Sequence, residues 1–466
     1  MKRLKALSWI LLLTTVGCRT TLQPEKPMES YLPWNKEPES SFIQFPLQLD
    51  LNTIEALVNK NLQGVLYENP ALKTGEESSI GLKVSRTGRI RLGMDGNTLT
   101  WEIPLRIEAT TRLRIGIGSL GFTDTRQMKG EIALRFNTAV EISPDWSLKT
   151  KTSPAGYKWI EEPSVTASGK MMPVTLLANI ILNNTQSLLT QRLDELFQQN
   201  LALEPQAELM WLKLQDPMKV WDEPEIWLKL TPEEIYATQP SAKQGTLQWK
   251  AALKAKIEAQ IGSMPSSGVP VPLKKINLWV PQTPSSYVFA RISARLDTLA
   301  ATAEKFLKNE KFSSGNKSVR VKTLSLYGNE GMLVAEVTLE GSVNGKVYFK
   351  GTPYYDASTQ VLRIQNFDFD LHTRNILQKS AAWLLQSTIK KQILKYLCFD
   401  LESQLTALQQ GIDQWSENFR PVEGIQIKGA IKNLEPDAIH ITPDAIVVYL
   451  KAIGNIEISS NPLLMK

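Results

Sequence analysis

Ile43, Phe45, Leu47, Leu49 and Leu51 alternate with Gln44, Pro46, Gln48 and Asp50. A period of two with one apolar face predicts a strand. Asn52 or Thr53 can then cap a helix with a side-chain oxygen. Ile54, Leu57, Val58 and Leu62 follow at helical spacing. The same order of signals returns with Ser286 in the place of Ser41. Val288, Ala290, Ile292, Ala294 and Leu296 alternate, Asp297 and Thr298 take the cap positions, and Leu299 matches Ile54. Between 41–62 and 286–307, six of 22 positions are identical.

Long antiparallel stretches follow both starts. Leu99, Trp101, Ile103, Leu105 and Ile107 alternate after the hairpin signal Asp95-Gly96, and Ile132, Leu134 and Phe136 supply a further strand. In the second half Leu333, Ala335, Val337 and Leu339 alternate, Asn344-Gly345 marks a hairpin, and Val347 and Phe349 continue. Each half then carries a long apolar helix pattern. The first spans 174–199 and includes Leu177, Ile180, Ile181, Leu188, Leu189, Leu193 and Leu196; the second spans 373–415, broken or turned around 398–401. Leu230-Thr231-Pro232-Glu233-Glu234-Ile235 and Leu434-Glu435-Pro436-Asp437-Ala438-Ile439 are similar phrases near the end of each half. A proline-rich stretch with one apolar strand at 276–280 separates the two. The internal repeat is the most informative feature of the chain.

The N-terminus carries a different signal. Lys2, Arg3 and Lys5 precede an apolar run at 7–16 that is too short to span a bilayer. It ends Thr15-Val16-Gly17-Cys18, which resembles a bacterial lipobox with Thr15 in place of the usual leucine. The resemblance implies a signal peptide at 1–17 and a lipidated Cys18 at the new N-terminus. Arg19, where an aspartate would retain the protein at the inner membrane, implies the outer membrane and a periplasm-facing protein. An ordinary secretory signal that happens to contain a cysteine is the alternative. Residues 18–40, polar and proline-bearing, read as a tether.

Charge and composition narrow the chemistry. The chain has 53 basic and 47 acidic residues for a net charge of +6. Half of that excess is Lys2, Arg3 and Lys5, so the mature chain is nearly balanced and carries no nucleic-acid signature. Two histidines and two cysteines leave no disulfide framework and little room for histidine chemistry. Cys398, in an apolar stretch, reads as a buried free thiol. No cofactor is expected.

The start Ser41-Phe42-Ile43-Gln44-Phe45-Pro46-Leu47, the stretch Val269-Pro270-Val271-Pro272-Leu273 after Gly262, and Ser286-Tyr287-Val288-Phe289 resemble a domain-of-unknown-function family of bacterial lipoproteins, DUF4403, over about 41–458. That family is similar in turn to the tubular lipid-binding (TULIP) superfamily. The resemblance implies an α+β protein of two tandem TULIP-like modules, 41–262 and 286–458, joined by a crossing at 263–285. Each is a long curved antiparallel sheet wrapped around a long helix. It implies a non-enzymatic lipoprotein, attached to a membrane through Cys18, that binds or relays lipid or another amphipathic molecule in an apolar groove. Ile54, Leu57, Val58, Leu177, Ile180, Ile181 and Leu188 are the candidate lining, and plain solid core is the other reading of the same positions. The family brings no catalytic residues.

Other constellations carry less. Gly116-Ile117-Gly118-Ser119-Leu120-Gly121 fits G-x-G-x-x-G but runs into strand pattern, so a glycine-rich turn is expected. Asp368, Asp370 and His372 alternate with Phe367, Phe369 and Leu371, as a solvated strand face does. Two further functions stay open: a non-catalytic envelope scaffold binding protein or glycan, and an envelope hydrolase with dispersed carboxylates.

Overall fold

The computed structural model describes residues 20–33, 39–73, 78–115, 122–165, 174–201, 203–223, 225–281, 286–356, 361–394, 398–400, 410 and 425–460. A short strand β1 (Thr20–Leu22) precedes β2 (Ser41–Asp50), α1 (Leu51–Asn61), β3 (Val65–Lys73), β4 (Ser78–Arg86), β5 (Arg91–Asp95), β6 (Thr98–Ile115), β7 (Phe122–Ile142) and β8 (Leu148–Val165). Then come α2 (Val174–Asn200), α3 (Glu204–Lys213), β9 (Met218–Asp222), β10 (Glu225–Ala237), β11 (Ser241–Lys243), β12 (Thr246–Ile261) and β13 (Ile276–Leu278). The second half runs β14 (Ser286–Arg295), α4 (Leu296–Leu307), β15 (Lys311–Ser314), β16 (Lys317–Asn329), β17 (Met332–Gly341), β18 (Val343–Asp356) and β19 (Val361–Phe369). It closes with α5 (Leu371–Ser380), α6 (Ser387–Leu394), β20 (Cys398–Asp400), β21 (Ile425–Ile441) and β22 (Ala445–Ser460). The protein is a sheet-dominated α+β structure.

The described strands form three sheets. A six-stranded sheet, β3-β4-β6-β7-β8 with β5 on β6, belongs to the first half. A seven-stranded sheet, β15-β16-β17-β18-β19-β20 with β1 on β18, belongs to the second. Between them a nine-stranded sheet takes strands from both, in the order β13-β10-β12-β2-β14-β22-β21, with β11 on β12 and β9 on β10. The largest core cluster fills the first half under β6, β7 and α2; a second lies under the seven-stranded sheet.

Both repeat starts fold as the same unit, a ten-residue strand running straight into a helix. They meet in the middle of the central sheet, where Tyr287 pairs with Phe42. The Ser41 hydroxyl donates to Phe289 O (2.9 Å) and accepts from Phe289 N (3.0 Å). The Ser286 hydroxyl accepts from Gln44 N (2.9 Å) and donates to Gln44 O (3.3 Å). Since Ser286 corresponds to Ser41 and Phe289 to Gln44, the two bond sets exchange under a local twofold axis between Phe42 and Tyr287. Both serines are buried. Ser41→Ala and Ser286→Ala are each expected to destabilise the fold by about 1–2 kcal/mol, because each leaves a backbone amide without its partner. Equal shifts in urea unfolding are the expected result; a cost from only one serine would argue against equivalent roles.

The similar phrases also fold alike. The β10 ladder shifts register between Pro232 and Glu234, and the β21 ladder between Pro436 and Ala438. Proline has no N–H to give the ladder, and a bulge accommodates it.

Several local expectations change. Asp50, not Asn52 or Thr53, caps α1, accepting from Asn52 N at 2.8 Å. The matching position in the second half is Arg295, and α4 begins there without a side-chain cap. The Arg295 guanidinium instead pairs with Asp297 and holds its carboxyl down to about 2. Asn344 and Gly345 are not a hairpin; they lie inside β18. The second long helix breaks at Ala381 into α5, a 3₁₀ turn over Ala382–Leu385, and α6, so that Leu377, Leu384 and Ile389 all reach the core.

Residues 20–33 differ most from expectation, because they are packed and not a free tether. β1 pairs in parallel with β18, Thr20 opposite Val343 and Leu22 opposite Gly345. It occupies the β18 edge beyond the point where β19 leaves the sheet. Leu22 is 1% exposed, in one cluster with Phe312, Val319 and Val343. Further along, Tyr327 Oη donates to Pro27 O (3.2 Å), Asn329 Nδ2 to Met28 O (2.7 Å), and Ser30 N to Gly328 O (3.0 Å). Lys26 sits 4.7 Å from the Tyr327 ring centre.

Candidate functional site

The six-stranded sheet curls until both of its edges touch α2. On one edge Tyr67 Oη donates to Asn184 Oδ1 at 3.3 Å. On the other, Thr152 Oγ1 and N donate to Asp194 at 2.7 and 3.3 Å. The helix therefore closes a trough whose floor is the inward face of β6 and β7, with Ile103, Leu105, Ile132, Leu134 and Phe136 fully buried. A polar chain crosses this apolar interior. Trp101 Nε1 donates to Thr138 Oγ1 (2.9 Å), which is 2.7 Å from Thr152 Oγ1. Because Thr152 gives its proton to Asp194, Thr138 gives its own to Thr152. Every member is satisfied, as a polar group inside a core requires. Phe197 of α2 meets the Trp101 ring edge to face at 6.1 Å.

The candidate lining residues divide. Ile54 and Val58 of α1 and Ile181 of α2 share one core cluster and are closed to water. Ile180 and Leu188 are half-buried against that cluster, and Leu57 is half-buried on α1. The Leu177 side chain and Cys18 lie outside the described residues, as do 116–121 of the glycine-rich match.

An open basin of 540 Å³ lies at the end of α1, lined by Ala56, Asn59, Lys60, Gln63, Arg86 and Arg89. Two of its cations have structural partners. Arg86 Nη1 donates to Asn59 O at the helix end (2.9 Å), and Arg89 Nε to the buried Glu55 (2.6 Å). A second cavity, 280 Å³, opens where the end of α2 meets the β7–β8 hairpin. Trp146, Leu148, Leu201 and Leu203 line it, with Asp145, Lys149, Gln198 and Glu204 among its polar members. Trp146 sits in the turn at a positive φ of 66°, and its Nε1 donates to Lys274 O at 2.8 Å. The Ser147 hydroxyl and amide hold the Asp145 carboxyl below the usual range. This apolar mouth with a polar rim is the part of the site that sequence reasoning missed. Its signals were a tryptophan in a turn and leucines continuing past the end of a helix.

The Asp368, Asp370 and His372 constellation is not a solvated strand face. β19 ends at Phe369, and Asp370 is buried as the α5 cap, accepting from His372 N (3.1 Å) and pairing with Lys350 (2.8 Å). Among the described residues no group of three His, Cys, Asp or Glu could hold a metal ion. No described helix is long and apolar enough to cross a membrane.

A search of the curated proteins finds no match to the chain. Among solved structures the chain is similar to a lipopolysaccharide binding protein, at 12% identity and a TM-score of 0.24, covering 91% of this chain and 100% of that one. The family model described as Domain of unknown function (DUF4403) matches residues 39–459, and the chain belongs to that family.

Proposed function

We propose that the protein is a periplasmic lipoprotein held in the outer membrane by a lipidated Cys18, with two tandem TULIP-like modules, 41–262 and 286–458, that bind or relay lipid or another amphipathic molecule. The observation that carries the reading is the helix-closed trough. α2 lies over a continuous apolar floor, is tied to the sheet edges by a few polar contacts, and ends at an apolar-lined mouth. An acyl chain costs about 0.8 kcal/mol per CH₂ to hold in water, on the order of 12 kcal/mol for a palmitoyl-sized chain. Sheltering it is work enough for a protein with no covalent chemistry. The chain enters beside Trp146, Leu148, Leu201 and Leu203. As α2 lifts, Phe197 and Leu196 next to the mouth are the first to meet it, and the half-buried Leu188 and Ile180 lie further along the helix.

Native mass spectrometry of protein extracted from membranes tests this. A bound lipid mass is expected, and Leu201→Lys with Leu203→Lys should abolish it. Palmitate labelling that disappears in Cys18→Ser tests the anchor separately. The scaffold reading has one observation in its favour, the closed packing of Ile54, Val58 and Ile181. Protein free of lipid that takes up no fluorescent fatty acid would establish that reading instead.

A further inference from the structure

We propose that the β15–β16 end of the second half is a docking face for anionic lipid headgroups. Residues 304–322 hold six basic side chains, Lys305, Lys308, Lys311, Lys317, Arg320 and Lys322, and two acidic ones, Glu304 and Glu310. All six basic residues are exposed, and none pairs with a carboxylate among the described residues. Glu304 is turned to the backbone, accepting from Leu324 N at 3.1 Å. Glu340 stands opposite Arg320 on β17 and is the nearest further acid in the ladder. Lys311 faces Arg320 directly across β15 and β16. Like charges in that position work against the pair, and Glu340 on the other flank offsets Arg320 alone. Phe306, on the last turn of α4 between Lys305 and Lys308, is 68% exposed. An apolar ring among lysines suits an interface where headgroups meet acyl chains.

A second observation places the chain's attachment point at the same end. Thr20 opposes Val343, and the adjoining Ser342 donates its N–H to Ser318 O at 2.8 Å, beside the β15–β16 turn. From there residues 20–33 run the other way, toward Gly328, where Tyr31 and Ile441 of the central sheet converge. Cys18 lies two residues before Thr20, a reach of about 7 Å. A bilayer holding Cys18 therefore meets the basic face. This orientation rests on the anchoring proposed above; the charge of the face does not.

The test uses the mature chain carrying Cys18→Ser, so that binding owes nothing to a lipid anchor. Sedimentation with phosphatidylcholine vesicles containing phosphatidylglycerol should show salt-sensitive binding that is absent from phosphatidylcholine alone. Lys308→Glu, Lys311→Glu and Lys317→Glu together should weaken it roughly fivefold per lysine, on the order of a hundredfold. Lys73→Glu, Lys151→Glu and Lys158→Glu, on the first half, should leave it unchanged. Phe306→Ser, at an exposed site that leaves the fold intact, should weaken it several-fold. Equal binding to both vesicle types, or equal loss from the two lysine triples, would overturn the proposal. Vesicle binding without palmitate on Cys18 removes only the anchor; palmitate without vesicle binding removes only the docking face.

Discussion

Trp101→Ala is expected to lower the stability of the first half by about 4 kcal/mol, as buried tryptophan truncations do. The side chain is 1% exposed and is the largest of the fully buried group. Its loss opens a cavity under α2 and removes the ring that Phe197 packs against. It also removes the first donor of the chain through Thr138 and Thr152 to Asp194. Trp101→Phe keeps most of the volume but not the N–H, and should cost about 1–2 kcal/mol. Urea unfolding of the two variants separates packing from hydrogen bonding. If Trp101→Ala cost less than about 1 kcal/mol, the trough would not depend on this joint.

Gly345→Val should unseat β1. Gly345 has a φ of +120°, a conformation that side chains rarely adopt, and an added Cβ would collide with the backbone of Leu22. The strand has to leave, and Leu22 leaves the core with it. The expected cost is about 2–4 kcal/mol, that of deleting a buried leucine, with loss of amide-exchange protection over residues 20–22. Leu22→Ala should reproduce the destabilisation through packing alone. Full protection of β1 in Gly345→Val would show that the close approach is not obligatory.

These two sites differ in how far the sequence reveals them. Trp101 lies in a strand of clean alternation, and its burial follows from the pattern. The repeated strand–helix start was equally legible, since strand and helix each have a local signal that occurs twice, and α2 begins at Val174 as its spacing predicts. Gly345 was misread because Asn-Gly is a turn signal along the chain, whereas its reason is a distant backbone lying against it. Residues 20–33 were misread for the same cause. Two leucines ten positions apart among prolines and charges have no periodicity, and the burial of Leu22 depends on an edge left open by β19. The 3₁₀ break after α5 has no glycine or proline to mark it. The mouth at Trp146 joins a turn to a helix end more than fifty positions away, so no window along the chain contains both.

The reciprocal serine bonds have a consequence for how such a chain could arise and behave. An interface that exchanges with itself under a twofold axis is isologous, the kind that joins identical subunits into a closed pair. Here β2 and β14 make that contact within one polypeptide, and the proline-rich stretch before Ser286 converts an encounter between molecules into one within a molecule. That contact has the geometry of a homodimer interface held within one chain. Its surroundings differ: a single long helix lies over the six-stranded sheet, whereas the seven-stranded sheet carries a broken helix and takes in the N-terminal strand.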